Sequence, residues 1–230
     1  MPDNYDGVLI TIEGIDKAGK TTVVDAAREA IEERFAADSI DRDVVINTEP
    51  DDGEYGYGND FGELTRKKLS DSDTAPLALF HSFLSDHYQQ VADVVIPALE
   101  RGDVVVLDRY VDSRYAYQPS SLSQYFNDDR HESLSWIRSV QEEPNGATPQ
   151  PDLTLYLQIT AEESARRGGD KDDEVFEVSE FQQQAKRNYD ELAEELDRFE
   201  TVDGMQSPGA VREDAVDKIV STINSTGDSS

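Results

Sequence analysis

The segment Gly14-Ile15-Asp16-Lys17-Ala18-Gly19-Lys20-Thr21 constrains this chain more than any other, because it fills every fixed position of G-x-x-x-x-G-K-[ST]. It also lies between the two elements that such a loop must join. Before it, Val8-Leu9-Ile10-Thr11-Ile12 is apolar and β-branched and predicts a buried strand. After it, the run from Thr22 to Phe35 predicts a helix with Val24, Arg28 (through its stem), Ile31 and Phe35 on one stripe. A strand, a glycine loop and a helix N-terminus make an anion cradle, into which successive backbone N–H groups and the positive end of the helix dipole point. Lys20 is expected to reach the β- and γ-phosphates of a nucleoside triphosphate, and the Thr21 hydroxyl to ligate Mg²⁺. The candidate ATP-binding set is Gly14, Ile15, Asp16, Lys17, Ala18, Gly19, Lys20, Thr21 and Thr22.

Further strand-like runs follow at Val44-Val45-Ile46, Val104 to Leu107 and Leu153 to Ile159, with a weaker one at Phe199 to Val202. Helical stretches separate them. That alternation predicts an α/β fold of the P-loop NTPase kind, three-layer α/β/α, with a five-stranded mostly parallel sheet. One helix is expected from about Thr74 to Glu100, with Pro97 as a possible kink and Gly102 closing it. Another is expected from Ser179 to Arg198, its face of Phe181, Ala185, Tyr189, Leu192 and Leu196 packing into the core. Two polar connections exceed what a scaffold needs: residues 51–60, rich in glycine and acid, and residues 166–174. The second carries arginines beside glycines and suits a mobile lid over phosphates, at about 165–177. A single domain is expected over 1–220, with 221–230 as a flexible tail.

Fifty acidic residues face twenty-one basic ones, a net charge of −29 over 230 residues. Binding to a nucleic-acid backbone wants a basic face, so nucleic acid is not an expected partner. The acids are interleaved with periodic apolar segments, which reads as a solvated acidic surface on an ordinary core. Such a surface repels itself in dilute buffer and is screened at molar salt, where the Debye length is about 3 Å. The reading is a halophilic protein of a salty cytoplasm. Cysteine is absent, so no disulfide or thiolate metal site is expected. No apolar run approaches the ~20 residues of a membrane span, and no signal segment opens the chain.

The third strand ends in Asp108-Arg109-Tyr110, at the carboxyl end where ligand groups gather in open α/β sheets. Asp108 can hold Mg²⁺ or its waters, and Arg109 can grip a phosphate bidentately. At this point the chain closely resembles the thymidylate kinase family over roughly residues 7–220. The resemblance rests on Glu13 to Thr22, on Glu49-Pro50, and on Phe83 with Asp86. It continues through Pro97-Ala98-Leu99-x-x-Gly102, Asp108-Arg109-Tyr110-x-x-Ser113-x-x-Ala116-Tyr117-Gln118 and Pro151 to Leu157, and ends on Phe176-Glu177, Phe181 and Tyr189. The family transfers a phosphoryl group from ATP-Mg²⁺ to dTMP, usually as a homodimer. The resemblance implies that Asp16 approaches the acceptor 3′-hydroxyl and that Arg66 and Arg109 hold its 5′-phosphate. It further implies that Phe83 stacks on the pyrimidine and that Tyr117 crowds the 2′ position. Glu49, Pro50, Ser113 and Gln118 complete the acceptor set.

The chain departs from the family pattern in several places. The family's transition-state cation is usually an arginine in the P-loop or the lid. Here Lys17 occupies the loop position, while Arg166 and Arg167 open the lid. The fork of a guanidinium tilts the choice towards the arginines. The family's usual arginine after Asp86 is His87, and the usually small residue after Ser113 is Arg114. This paired change suggests that Arg114 reaches the thymine O4 in place of the lost arginine, with His87 assisting or packing. The competing outcomes are a base preference broadened towards dUMP or another acceptor, and a P-loop nucleotide-binding protein without kinase activity. A deoxynucleoside kinase, which needs a carboxylate base, would use Glu13.

Overall fold

The computed structural model describes residues 5–142, 148–168 and 175–227. Five strands form one sheet: β1 (Val8–Glu13), β2 (Val44–Thr48), β3 (Val104–Asp108), β4 (Leu153–Gln158) and β5 (Phe199–Asp203). Their order is β2-β3-β1-β4-β5, and every neighbouring pair is parallel. β1, β3 and β4 are buried over nearly their whole length, which is why they read as continuous apolar runs rather than alternating ones. The order in which strands are added reverses beside β1, whose neighbours are β3 and β4. The P-loop therefore leaves the sheet at its switch point, where ligands bind in such folds.

The loop delivers the chain into α1 (Lys20–Asp38). The buried stripe of α1 is Val23, Val24, Ala27, Ile31 and Phe35. Arg28 is not on it: its side chain is exposed and pairs with Glu32 one turn on, because Ala27 already fills the inward position. After β2 the chain crosses a loop at 49–59 and enters α2 (Asp60–Leu69), capped by the Asn59 side chain, which accepts the N–H groups of Phe61 and Gly62. Instead of one helix from Thr74 to Glu100, the structure has α3 (Pro76–Gln90), a π-helical turn at Val91–Val95 and α4 (Ile96–Glu100). Ile96 donates to the Val91 carbonyl, five residues back, so the wide turn absorbs Pro97, which has no N–H to continue the ladder.

Beyond β3 come α5 (Val111–Leu122) and α6 (Arg130–Glu142); beyond β4 come α7 (Ala161–Gly168) and α8 (Val175–Glu195). The expected lid thus begins at the end of α7 and finishes in the first turn of α8, and its centre, 169–174, lies outside the described residues. On α8, Ala185, Tyr189 and Leu192 are buried, but Phe181 is 41% exposed and leaves the core stripe. The last helix, α9 (Pro208–Gly227), continues through 221–227, where the sequence suggests a fraying tail. Ile223 extends the buried row of Val211, Ala215 and Ile219. Along the outer seam of α1 and α9 runs a groove lined by Glu29, Glu33, Glu213 and Asp217, with Arg212 bonded to Glu29. A separate cavity of about 180 Å³, floored by Ile31, Phe35 and Ile223 and rimmed by Arg34 and Arg42, lies near the amino end of β2, away from the P-loop.

Candidate active site

The P-loop turns on backbone conformations that few side chains accept. Gly14 has φ 145°, and a Cβ there would lie 2.7 Å from the Leu157 carbonyl oxygen; Gly19 has φ 104°. The non-glycine Lys17 also adopts a left-handed conformation, φ 60°, at the exposed apex of the loop. Lys20, the first residue of α1, curls back so that its ammonium donates to the carbonyls of Gly14 and Ile15, each at 3.3 Å. Burial, then the nearby Arg109, pulls the Lys20 pKa down to about 8, against the opposing pull of Asp108, Asp16 and Glu13. The Thr21 hydroxyl donates to the Asp108 carboxylate at 3.0 Å. Two hard oxygen donors side by side at a phosphate loop fit Mg²⁺.

Asp16 is the hub of the site. Its Oδ1 accepts from Arg109 Nη2 at 2.5 Å and from the Tyr117 hydroxyl at 3.3 Å, and its Oδ2 accepts from Gln182 Nε2 at 2.7 Å. Its backbone carbonyl accepts from Ser164 Oγ, at 2.8 Å. Desolvation would raise the Asp16 pKa, but Arg109 and Lys20 outweigh it and hold the carboxyl below its ordinary value. Arg109 also takes a left-handed backbone, φ 74°. Its guanidinium lies 5.1 Å from the Tyr117 ring centroid, and its Nη1 donates to Ser113 Oγ at 3.2 Å. The Phe181 ring stands 5.7 Å from that of Tyr117, so this aromatic edges the cleft. Arg66 sits apart on α2 and donates to Asp52 at 2.8 Å. Phe83 is half-buried on α3 and joins neither the hydrophobic cluster nor a ring pair among the described residues.

Glu49 sits in a second, buried cluster. His87 Nδ1 lies 2.5 Å from Glu49 Oε1, and Arg114 Nη1 bonds Glu49 Oε2. Arg114 Nε donates to Gln141 Oε1 at 2.6 Å, while its Nη2 is buried with no partner among the described residues. Burial disfavours the charge on Glu49, yet Arg114 and His87 together hold its pKa below the usual value. Burial, then Arg114, lowers the His87 pKa, against the opposing pull of Glu49. The cis-linked Pro50 is buried beside this cluster, and Asp86 fastens the next stretch by accepting from the Asp51 N–H and the Asn59 amide. Gln118 turns to Ser121 on its own helix.

The two arginines of the expected lid stand on a helix, not on a loop. Both are held by Glu163, whose pKa these bonds pull down to about 2. Arg166 is 73% exposed. Arg167 reaches behind the P-loop to the carbonyls of Lys17 and Ala18 and to that of Gly204. Gln182, Ser164 and Glu163 have no motif that announces them. Their only sequence signal is a place on helices after β4, and the run Gln182-Gln183-Gln184 reads as a solvated face. Glu13 is fully buried and accepts three hydrogen bonds, so it is not free to deprotonate a sugar hydroxyl.

A parallel five-stranded sheet with its phosphate loop after the central strand, and a guanidinium clasped to that loop's aspartate, define a P-loop nucleotide-binding protein of the α/β class. The family model described as thymidylate kinase matches residues 12–215. A probable thymidylate kinase of Halobacterium salinarum is 36% identical over 209 residues, 90% of this chain and 93% of that protein. Another of Natronomonas pharaonis is 35% identical over 218 residues, 94% of this chain and 100% of that protein. One of Methanosarcina acetivorans is 36% identical over 219 residues, 94% and 97% of the two chains. This chain belongs to the thymidylate kinase family.

Proposed function

We propose that the chain transfers the γ-phosphoryl group of ATP to dTMP, giving dTDP and ADP, as a step towards dTTP. The observation that carries the reading is the Asp16–Arg109 clasp. It joins the loop built for a triphosphate to the guanidinium suited to a monophosphate, so donor and acceptor meet across one contact. Phosphoryl transfer needs two repelling anions held in line, and charge on the equatorial oxygens neutralised. The P-loop N–H groups and Lys20 hold the donor phosphates. Thr21 and Asp108 are the residues that would hold Mg²⁺, which when bound would neutralise phosphate charge. Arg109 and Arg66 take the acceptor phosphate, released by Asp16 and Asp52 as it arrives. Asp16, kept in place by Gln182, faces the 3′-hydroxyl, Tyr117 excludes a 2′-hydroxyl, and Phe83 stacks on the base. No general base is required, because a phosphate monoester is already largely ionised above its second pKa of about 6.

For the transition-state cation, Lys17 is the better choice than the arginines. Arg166 and Arg167 are engaged by Glu163, whereas Lys17 stands exposed at the loop apex and enters no ion pair among the described residues. For the base, Glu49 and Gln141 brace Arg114, and its buried, unpaired Nη2 is a donor that the thymine O4 would satisfy. A homodimer fits the exposed Phe61, Leu64 and Leu69 of α2, and a salt-rich cytoplasm fits the net charge of −29. No helix among the described residues is long and apolar enough to cross a membrane.

The test is coupled kinase activity in molar KCl with dTMP, dUMP, UMP, dCMP and AMP. A kcat/KM for dTMP roughly tenfold above every rival is expected, and comparable turnover of another acceptor would replace the assignment. Arg114→Ala should raise KM for dTMP far more than for ATP. Equal effects on both would remove Arg114 from the base site.

A further inference from the structure

Glu13, the last residue of β1, is fully buried beside the site, and the phosphoryl transfer just described gives it no task. Its Oε1 accepts the Tyr110 N–H at 2.8 Å. Its Oε2 accepts the Ser113 hydroxyl at 2.7 Å and the Tyr189 hydroxyl at 2.8 Å. Ser113 Oγ in turn accepts from Arg109 Nη1. These bonds have a direction. A hydroxyl has one hydrogen, and while Ser113 gives it to Glu13 its lone pairs are left for the guanidinium. The Arg109 backbone is held in a left-handed conformation that a non-glycine residue does not choose by itself, and the Tyr110 N–H bond to Glu13 fixes the very next peptide. Tyr189 belongs to α8, the helix that also brings Gln182 to Asp16.

We infer that Glu13 is a positioning residue for the acceptor phosphate: through Ser113 and the Tyr110 N–H it aims the Arg109 guanidinium, and through Tyr189 it couples that aim to α8. The inference rests on the assignment of Arg109 to the acceptor phosphate. Glu13 is surrounded by charged and titratable groups from every side: Asp112 and Tyr117 of α5, Tyr110 just ahead of that helix, Arg109, Lys20 of α1, Arg198 ahead of β5, and Tyr189 of α8. Burial, then Asp112, raises the Glu13 pKa to about 7, against Ser113, Arg109 and Tyr189. Protonation would make Glu13 a donor to Ser113 and reverse the relay. The aim on the phosphate therefore strengthens as pH rises through 7, above the ionisation of the acceptor phosphate itself near 6.

Glu13→Gln, Ser113→Ala and the double variant are compared with the wild type by steady-state kinetics and by calorimetric binding of dTMP. Glu13→Gln should weaken dTMP, in both KM and Kd, by roughly tenfold, the weight of one hydrogen bond to a charged group, and leave KM for ATP within about twofold. Ser113→Ala should give a similar loss, and the double variant should be no worse than either single one. Between pH 6.5 and 8 the wild type should continue to tighten its hold on dTMP, while Glu13→Gln should be flat. Wild-type dTMP affinity with a wild-type pH profile in Glu13→Gln overturns the inference, as does an equal loss of ATP and dTMP accompanied by a fall in Tm. If the wild type binds no nucleoside monophosphate in the calorimeter, the assignment of Arg109 falls first and the inference with it. If it binds one and the variants bind equally well, only the inference falls.

Discussion

Lys17 and Lys20 differ in where their ammonium groups can go, and the roles proposed for them follow from that. Lys20 is folded onto the loop's own carbonyls and buried, while Lys17 projects from a left-handed turn into solvent. Lys17→Ala is expected to lower kcat by roughly 10²–10³-fold with KM values nearly unchanged, the pattern for a contact made only in the transition state. Arg166→Ala should change kcat by no more than a few-fold, and a larger loss there would return the role to the lid. The depressed pKa of Lys20 has its own signature. The charged form holds the phosphates, so kcat/KM for ATP should fall as pH rises through about 8, since this ratio reports the free enzyme. Lys20 and Thr21 are legible in the sequence because the backbone geometry of a phosphate loop dictates their spacing, and Asp108 and Arg109 because they stand at the carboxyl end of a central strand, where ligand groups gather. Gln182, Ser164 and Glu163 are not, because what places them is the packing of α7 and α8 against the loop, a contact some 150 residues long in sequence. The choice between Lys17 and Arg166 is open in the sequence; the Glu163 pairing of Arg166 is what favours Lys17 in the proposal.

The elements were readable where burial is uniform: β1, β3 and β4 emerge within a residue or two, since a strand covered on both sides must be apolar throughout. Helix faces were less secure. On α1 the sequence reading admits Arg28 by its stem, but Ala27 lies closer to the sheet and the arginine finds Glu32 instead. On α8, Phe181 continues a perfect apolar stripe, yet the stripe runs past the edge of the sheet there and the ring meets Tyr117 in the cleft. The π turn at Val91–Val95 could not be read at all, because the one-residue excess it introduces has no composition of its own. On α9, polar serines and threonines in the last turns hide the buried Ile219 and Ile223. Ile223→Ala is expected to cost about 2 kcal/mol and to lower Tm by roughly 4–8 °C in a chain of this size. A silent substitution, or a silent deletion of 221–230, would mean that the end of α9 frays in solution.

At the level of the whole molecule, charge governs behaviour more than any single contact. Most of the scarce cations are committed to carboxylates, among them Arg130 with Glu191, Arg138 with Glu195 and Arg198 with Asp112. Unmatched acids remain in large excess, and their repulsion grows as counter-ions are removed. Tm measured from 0.1 to 2 M KCl should rise by about 5 °C or more, equivalent to more than ~1 kcal/mol. A flat profile would separate the acidity of the surface from any need for salt. The seam between α1 and α9 gathers several of these acids among the described residues. There Glu29, Glu33, Glu213 and Asp217 share a single groove with Arg212. α9 packs on α1 on that side of the sheet, so loss of salt should loosen it before it reaches the P-loop. In practice this marks the groove as the place to adapt the protein to dilute buffer. Lysine at one or two of those four positions would supply permanently what potassium ions supply by crowding, leaving the catalytic face as it is.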